Sequence, residues 1–313
     1  MPSVRRAALA GFLPRRLGGN LRMLTARRPD LPRVLVYGIA PTDWPDLVLA
    51  YPEYDLVFAR RSAGEVDLDL SGPFDAVFLG PRVSRYFHSL VKEGQLQTLR
   101  LLPSPVPWLP IGPGRRAVGH ILDSRGSWMS SRGRSEIDAF LDGADLLSTA
   151  ASDAVAADWL DRLAIEAAPD GVTLIVPAAP PAGADGERSA ERLERVATSL
   201  GRPIRRLPAE LVDWTPAAQF AAFERELANG VAAVVTDGAP QGFHALLRGL
   251  PVHVVDVATS YAMRGLTVDH DLSLRRGRSC SLVDLMTAVL TLSRYVEPGV
   301  GLVDPFDPDL RHD

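Results

Sequence analysis

The chain has 313 residues, 46% of them apolar and 23% charged, enough for one large folded domain or two of ordinary size. Its net charge of −4 and isoelectric point near 5.9 argue against a general nucleic-acid binder. Cys280 is the one cysteine, so an internal disulfide is excluded and a zinc site has no basis, and no apolar run is long enough for a transmembrane helix.

Residues 1–31 read as an Arg-rich leader. Arg5, Arg6, Arg15, Arg16, Arg22, Arg27 and Arg28 are opposed only by Asp30, while Leu9, Phe12, Leu13, Leu17, Leu21 and Leu24 recur at spacings that a helix gathers on one side. Such a segment can lie on an anionic membrane surface, and a disordered leader or one docked on its own protein fits the same residues. It is no secretory signal, because Pro14, Arg15 and Arg16 break a short apolar core.

From residue 32 to 170, short apolar runs alternate with Pro, Gly and Asp. Val34 to Gly38, Tyr54 to Phe58, Asp75 to Gly80 and Val106 to Leu109 have strand length. Arg82 to Leu102 reads as helix, with Val83, Phe87, Leu90 and Val91 on one face. Val118 to Gly126 reads as extended, ending in the turn Asp123-Ser124-Arg125-Gly126. A helix then starts at Ser135 as N-cap, with Asp138 placed to complete a capping box. An Ala-rich helix from about Ser152 to Ala168 ends at Pro169-Asp170-Gly171, the predicted domain boundary.

From 171 to 313 the pattern restarts. Strand Val172 to Val176, a Pro/Ala/Gly loop to Gly186, helix Glu187 to Leu200, a strand near Ile204 and helix Pro216 to Ala228 lead to strand Val231 to Val235. Helix Pro240 to Arg248, strand Val252 to Val255 and an amphipathic helix Ser281 to Tyr295 follow. The predicted fold class is therefore α/β, with two Rossmann-like doubly wound domains and a cleft between them, the arrangement called GT-B. The strand before Pro240 hands the chain to a helix whose first turn carries that proline, so free N–H groups face the strand ends. That is an anion site in an open α/β sheet.

Gly242-Phe243-His244-Ala245-Leu246-Leu247-Arg248-Gly249-Leu250-Pro251-Val252, followed by Tyr261 and Gly265-Leu266-Thr267, resembles the bacterial capsule-polysaccharide synthesis family, the Kps-type proteins that include β-Kdo glycosyltransferases. Arg275-Arg276-Gly277-Arg278, Ser281-Leu282 and Arg294-Tyr295-Val296-Glu297-Pro298 match the family's basic loop, final helix and closing motif. A fainter echo lies at Leu122-Asp123-Ser124-Arg125-Gly126 and Ser135-Glu136-Ile137-Asp138. The strong part covers roughly the last quarter of the chain.

The resemblance implies transfer of Kdo, an acidic eight-carbon sugar, from CMP-Kdo to a lipid-linked glycan. It implies donor binding by Gly238, Gln241, Gly242, His244, Tyr261 and Arg264, with Arg275, Arg276 and Arg278 as further candidates for the sugar carboxylate or phosphate. Four positions depart from the family pattern. Pro177 stands where a strand should run into an Asp, and a proline neither attacks nor accepts a proton. Arg205-Arg206-Leu207-Pro208-Ala209 lacks the family's His-Pro pair, and Ile111-Gly112-Pro113-Gly114 replaces an E-D-G-F motif. His244 replaces a Glu that binds ribose hydroxyls.

Replacement carboxylates are Asp123 and Asp237, although a turn aspartate such as Asp123 more commonly bonds its own backbone. The six histidines lack the spacing of metal ligands, and neither a Gly-x-Ser-x-Gly elbow nor a P-loop is present. The sequence is thus read as a cytoplasmic, membrane-peripheral protein of capsule or surface-polysaccharide synthesis. Its transferase chemistry is lost or altered, it needs no cofactor, and a nucleotide sugar such as CMP-Kdo is its candidate ligand. An active glycosyltransferase using CMP-Kdo or another nucleotide sugar, and a non-catalytic subunit that partners capsule-assembly proteins, are the alternatives.

Overall fold

The structure is a computed structural model that describes residues 15–18, 21–59, 74–80, 96–125, 135–143, 149–177, 183–211, 217–237, 240–255, 272–275 and 278–311. The chain divides into two compact units. The first combines Met1–Ser104, Trp108–Arg125 and Ser293–Asp313, and the second combines Pro105–Pro107 with Gly126–Leu292.

The first unit is built on a nine-stranded mixed sheet. Its strands are β1 (Arg15–Gly18), β2 (Leu21–Met23), β3 (Arg33–Tyr37), β4 (Asp55–Ala59), β5 (Ala76–Leu79), β6 (Gln97–Pro110), β7 (Arg116–Asp123), β14 (Ser293–Glu297) and β15 (Gly301–Val303). Their order is β1-β2-β4-β3-β5-β6-β7-β14-β15, with β4, β3, β5 and β6 parallel and the flanking pairs antiparallel. β3, β4 and β5 are covered on both faces, which is why they read as unbroken apolar runs. Val34, Val36, Phe58 and Phe78 point to one core with helix α1 (Trp44–Ala50), where Trp44 stacks on Phe58 at 4.9 Å between ring centres. Leu35, Tyr37, Val57, Val77 and Leu79 point to the other.

The second unit holds a four-stranded parallel sheet of β8 (Val172–Val176), β9 (Ile204–Arg206), β10 (Val231–Thr236) and β11 (Val252–Val254), in the order β9-β8-β10-β11. Helices α2 (Glu136–Asp142), α3 (Ala150–Leu163), α4 (Gly183–Ser199), α5 (Ala217–Ala228), α6 (Pro240–Leu247) and α7 (Leu282–Leu292) accompany it, with an antiparallel hairpin of β12 (Leu272–Arg275) and β13 (Arg278–Ser281). Ser135 caps α2 in a full capping box with Asp138, and Thr149 does the same for α3 with Ser152. The parallel strands of the two units share one winding: the first and third strands are neighbours, and the second lies outside the first. The described residues form a mixed α/β protein, and no helix among them is long and apolar enough to cross a membrane.

Several expectations are corrected. Within the leader, Arg15–Gly18 and Leu21–Met23 are strands rather than helix, because Leu21 and Arg22 pair with Ala59 and Phe58 at the sheet edge. Of the helix expected over Arg82 to Leu102, residues 81–95 lie outside the described residues. Gln97 onward is strand, paired in parallel with Ala76 to Leu79. The last helix ends at Leu292, and Ser293–Glu297 instead pairs with Val118 to Ile121, which buries Tyr295 and Val296 fully. Gly171 is no boundary between the units. Ile165 and Ala168 donate backbone hydrogen bonds to Arg248 and Val231, so the turn sits inside the second unit.

β6 carries prolines at 103, 105 and 107, which donate no N–H, and its ladder to β7 shifts register between Pro103 and Trp108. At the carboxyl ends of β3 and β5 two glycines meet: a Cβ on Gly80 would lie 2.4 Å from the Gly38 carbonyl oxygen. Backbone cannot yield as a flexible side chain does, so Gly80→Ala is expected to destabilise the protein by about 1–3 kcal/mol, read as a lowered thermal midpoint.

Candidate functional site

In the second unit the chain leaves β8 through α4 toward β9, and leaves β10 through α6 toward β11 on the other side. Neighbouring strands whose connections diverge leave a crevice beyond their carboxyl ends, the place where open α/β sheets take ligands. β8 delivers Pro177 there and β10 delivers Thr236 and Asp237. Asp237 is 7% exposed and accepts a hydrogen bond of 2.7 Å from the Ser189 hydroxyl on α4. The carboxylate at this crevice therefore comes from β10, while the end of β8 carries no ionisable group.

Helix α6 begins at the same crevice. Gln241 is buried, and its amide nitrogen donates to the Leu211 carbonyl at 3.3 Å. Gly242 and Phe243 are buried beside it. His244, 1% exposed, sits edge-on to the Phe220 ring at 4.6 Å between centres. Its Nδ1 lies 3.4 Å from the Pro105 carbonyl oxygen, and its Nε2 lies 3.3 Å from Arg248 Nε and 3.1 Å from Glu224 Oε1.

Arg248 fixes the protonation of that ring. Its Nε–H donates to Nε2, so Nε2 acts as acceptor and the imidazole is the neutral Nδ1–H form, donating to Pro105. Burial acts in the same direction and pushes the His244 pKa down to about 3, against a smaller upward pull from the Pro105 carbonyl. Glu224 thus pairs with the guanidinium rather than with an imidazolium. Arg248 also donates through Nη2 to Glu224, and through Nη1 to the Leu163 carbonyl at 2.7 Å. One guanidinium holds α5, α6 and the end of α3 together.

The other sequence candidates are distributed as follows. Asp123 ends β7 in the first unit, is 1% exposed, and its Oδ1 accepts from the Arg125 backbone N–H at 3.0 Å, the turn role weighed for it in the sequence. Gly238, Tyr261, Arg264 and Arg276 lie outside the described residues. Arg275 and Arg278 are placed by backbone alone, facing each other across the hairpin of β12 and β13. Ile111 to Gly114 forms the turn between β6 and β7. No group of side chains suited to a metal occurs among the described residues.

Sequence reasoning missed Ser189, Glu224 and Arg248 as members of this neighbourhood. Arg248 stands four residues after His244, which places it on the same helix face, so that signal was present. Glu224 and Ser189 come from other helices and leave no local trace.

No protein-family model matches the chain, and no curated protein matches it. Among solved structures, the KpsC beta Kdo 2,4 transferase of Thermosulfurimonas dismutans is similar with a TM-score of 0.55, at 14% identity over 91% of this chain and 98% of that one. The KpsC beta Kdo 2,7 transferase of the same organism is similar with a TM-score of 0.53, at 13% identity over 90% of this chain and 98% of that one. The fold is KpsC-like. The structural likeness to KpsC extends over nine-tenths of the chain, far beyond the last quarter that carries the sequence resemblance.

Two outcomes follow from the Arg248 network. Arg248→Met removes the ion pair that Glu224 makes with this guanidinium and is expected to cost about 3–5 kcal/mol, while Arg248→Met combined with Glu224→Gln costs less than the sum of the single changes in a denaturation cycle. Between its ordinary value of 6.5 and about 3, His244 takes a proton in the unfolded chain but not in the folded one. Its contribution is therefore fully present above the unfolded value and lost as pH falls through that window. Thermal midpoints recorded from pH 7 to pH 4 are expected to fall less steeply for His244→Gln than for the unchanged protein.

Proposed function

We propose that this protein belongs to capsule or surface-polysaccharide synthesis as a relative of the β-Kdo transferases, with a GT-B-like pairing of its two units and with transferase chemistry lost. The observation that carries the reading is Pro177 at the carboxyl end of β8, beside the crevice where a catalytic Asp is expected by resemblance. The KpsC-like fold supports the relationship, and the buried, fully engaged His244 supports the loss, since its ring nitrogens face protein groups. In this reading Gly238, Gln241, Gly242, Tyr261 and Arg264 keep the donor side, and His244 serves as support for the start of α6. CMP-Kdo or a related nucleotide sugar is the ligand, and no cofactor takes part. The protein works at the cytoplasmic face of the inner membrane with capsule-assembly partners, residues 1–31 providing a basic contact to the lipid surface.

A second reading has one specific observation in its favour. Asp237 stands at the crevice with Ser189 bonded to one oxygen, so an active transferase would draw its general base from β10 rather than β8. CMP release from CMP-Kdo by the purified protein, with capsule glycan as acceptor, separates the two. The expected rate is that of buffer alone. Turnover that disappears in Asp237→Asn would replace the non-catalytic reading with the second one.

A further inference from the structure

The first unit has a cleft of about 560 Å3 at the amino-terminal ends of β3, β4, β5 and β6. This is the end of the sheet opposite the one where open α/β sheets take ligands, so the usual site of the fold does not account for it. Its volume lies within the range of small-molecule sites. Asp30, Asp75, Tyr54 and Gln97 supply its polar wall, Pro32 and Leu99 its apolar surface, and the described residues that line it include no lysine or arginine.

The polar wall is underused by the protein itself. Asp75 accepts the Arg33 backbone N–H at 2.7 Å through Oδ2, which leaves Oδ1 for another donor. The Asp30 carboxylate, the Gln97 amide and the Tyr54 hydroxyl have no hydrogen-bond partner among the described residues. Asp30 and Gln97 are exposed, and Gln97 enters the sheet through its backbone alone. The Tyr54 ring is held edge-on against Phe78 at 5.2 Å between centres.

We propose that this cleft binds a hydroxyl-rich, uncharged saccharide unit. Carboxylates accept hydrogen bonds from adjacent hydroxyls, the amide both donates and accepts, and an aromatic ring with aliphatic neighbours covers the C–H face of a sugar ring. The two carboxylates on the described wall, Asp30 and Asp75, disfavour an acidic sugar or a phosphate, which separates this cleft from a place for a Kdo-type donor. The proposal is independent of the transferase reading, because it concerns binding by the first unit and needs no turnover.

Saturation-transfer NMR on the full-length protein tests it, with neutral trisaccharides of glucose, galactose, mannose and N-acetylglucosamine as probes. A sialic acid trimer serves as the anionic control and putrescine as the cationic competitor. Transfer is expected to at least one neutral trisaccharide and not to the anionic one. Loss of a hydrogen bond to a charged group is expected to weaken binding about fivefold or more in Asp30→Lys, with a smaller loss in Gln97→Ala, and melting unchanged in both. Absence of transfer to every neutral probe, or transfer unchanged in both variants, overturns the proposal. Displacement of the sugar by putrescine at lower concentration overturns it in favour of an organic cation.

Discussion

The arrangement of the second unit around its crevice depends on one guanidinium. Arg248, in the turn just after α6, bonds Glu224 on α5, His244 on α6 and the last carbonyl of α3, and it does so with a side chain only 12% exposed. Partly buried charges are costly unless each finds a partner, so this set is tolerated only as a whole. Removing one member exposes the cost of the others. The network also fixes α6, and with it the first residues of the motif that faces the carboxyl ends of β8 and β10.

That constraint bears on what the crevice can do. A glutamate at 244 would bring a second negative charge beside Glu224, with one arginine to serve both. A neutral histidine avoids this conflict: its Nε2 accepts from Arg248 and its Nδ1–H satisfies Pro105. The same choice occupies the ring on its protein side. Together with Pro177 on β8, it leaves Asp237, positioned by Ser189, as the carboxylate that the two central strands bring to the crevice. The strand winding is that of a ligand-binding α/β sheet, and Pro177 ends β8 where the resemblance leads one to expect a carboxylate.

Much of the fold was legible because burial on both faces writes itself into sequence. Val34 to Tyr37 is a continuous apolar run, Val172 to Val176 is one interrupted only by the buried Thr173, and Ser135 with Asp138 announces a helix start through local hydrogen bonds alone. Long-range pairing was not legible. Ser293 to Val296 continues the apolar pattern of α7, and only its partners Val118 to Ile121, far earlier in the chain, make it a strand. The same return of the chain to the first unit makes the units discontinuous, which a boundary read from the Pro169-Asp170-Gly171 turn could not capture. In the site, the position of α6 and the proline at 177 were readable, whereas the Glu224 contact depends on packing between helices.

The central claim is that the scaffold of a nucleotide-sugar site has outlived its catalytic carboxylate. Calorimetric titration of the full-length protein with CMP and CMP-Kdo tests it most directly. The account predicts saturable binding of CMP that weakens in Arg264→Ala and persists in Asp237→Asn. Absence of binding heat for both ligands, in a protein whose melting profile shows it folded, would contradict the claim.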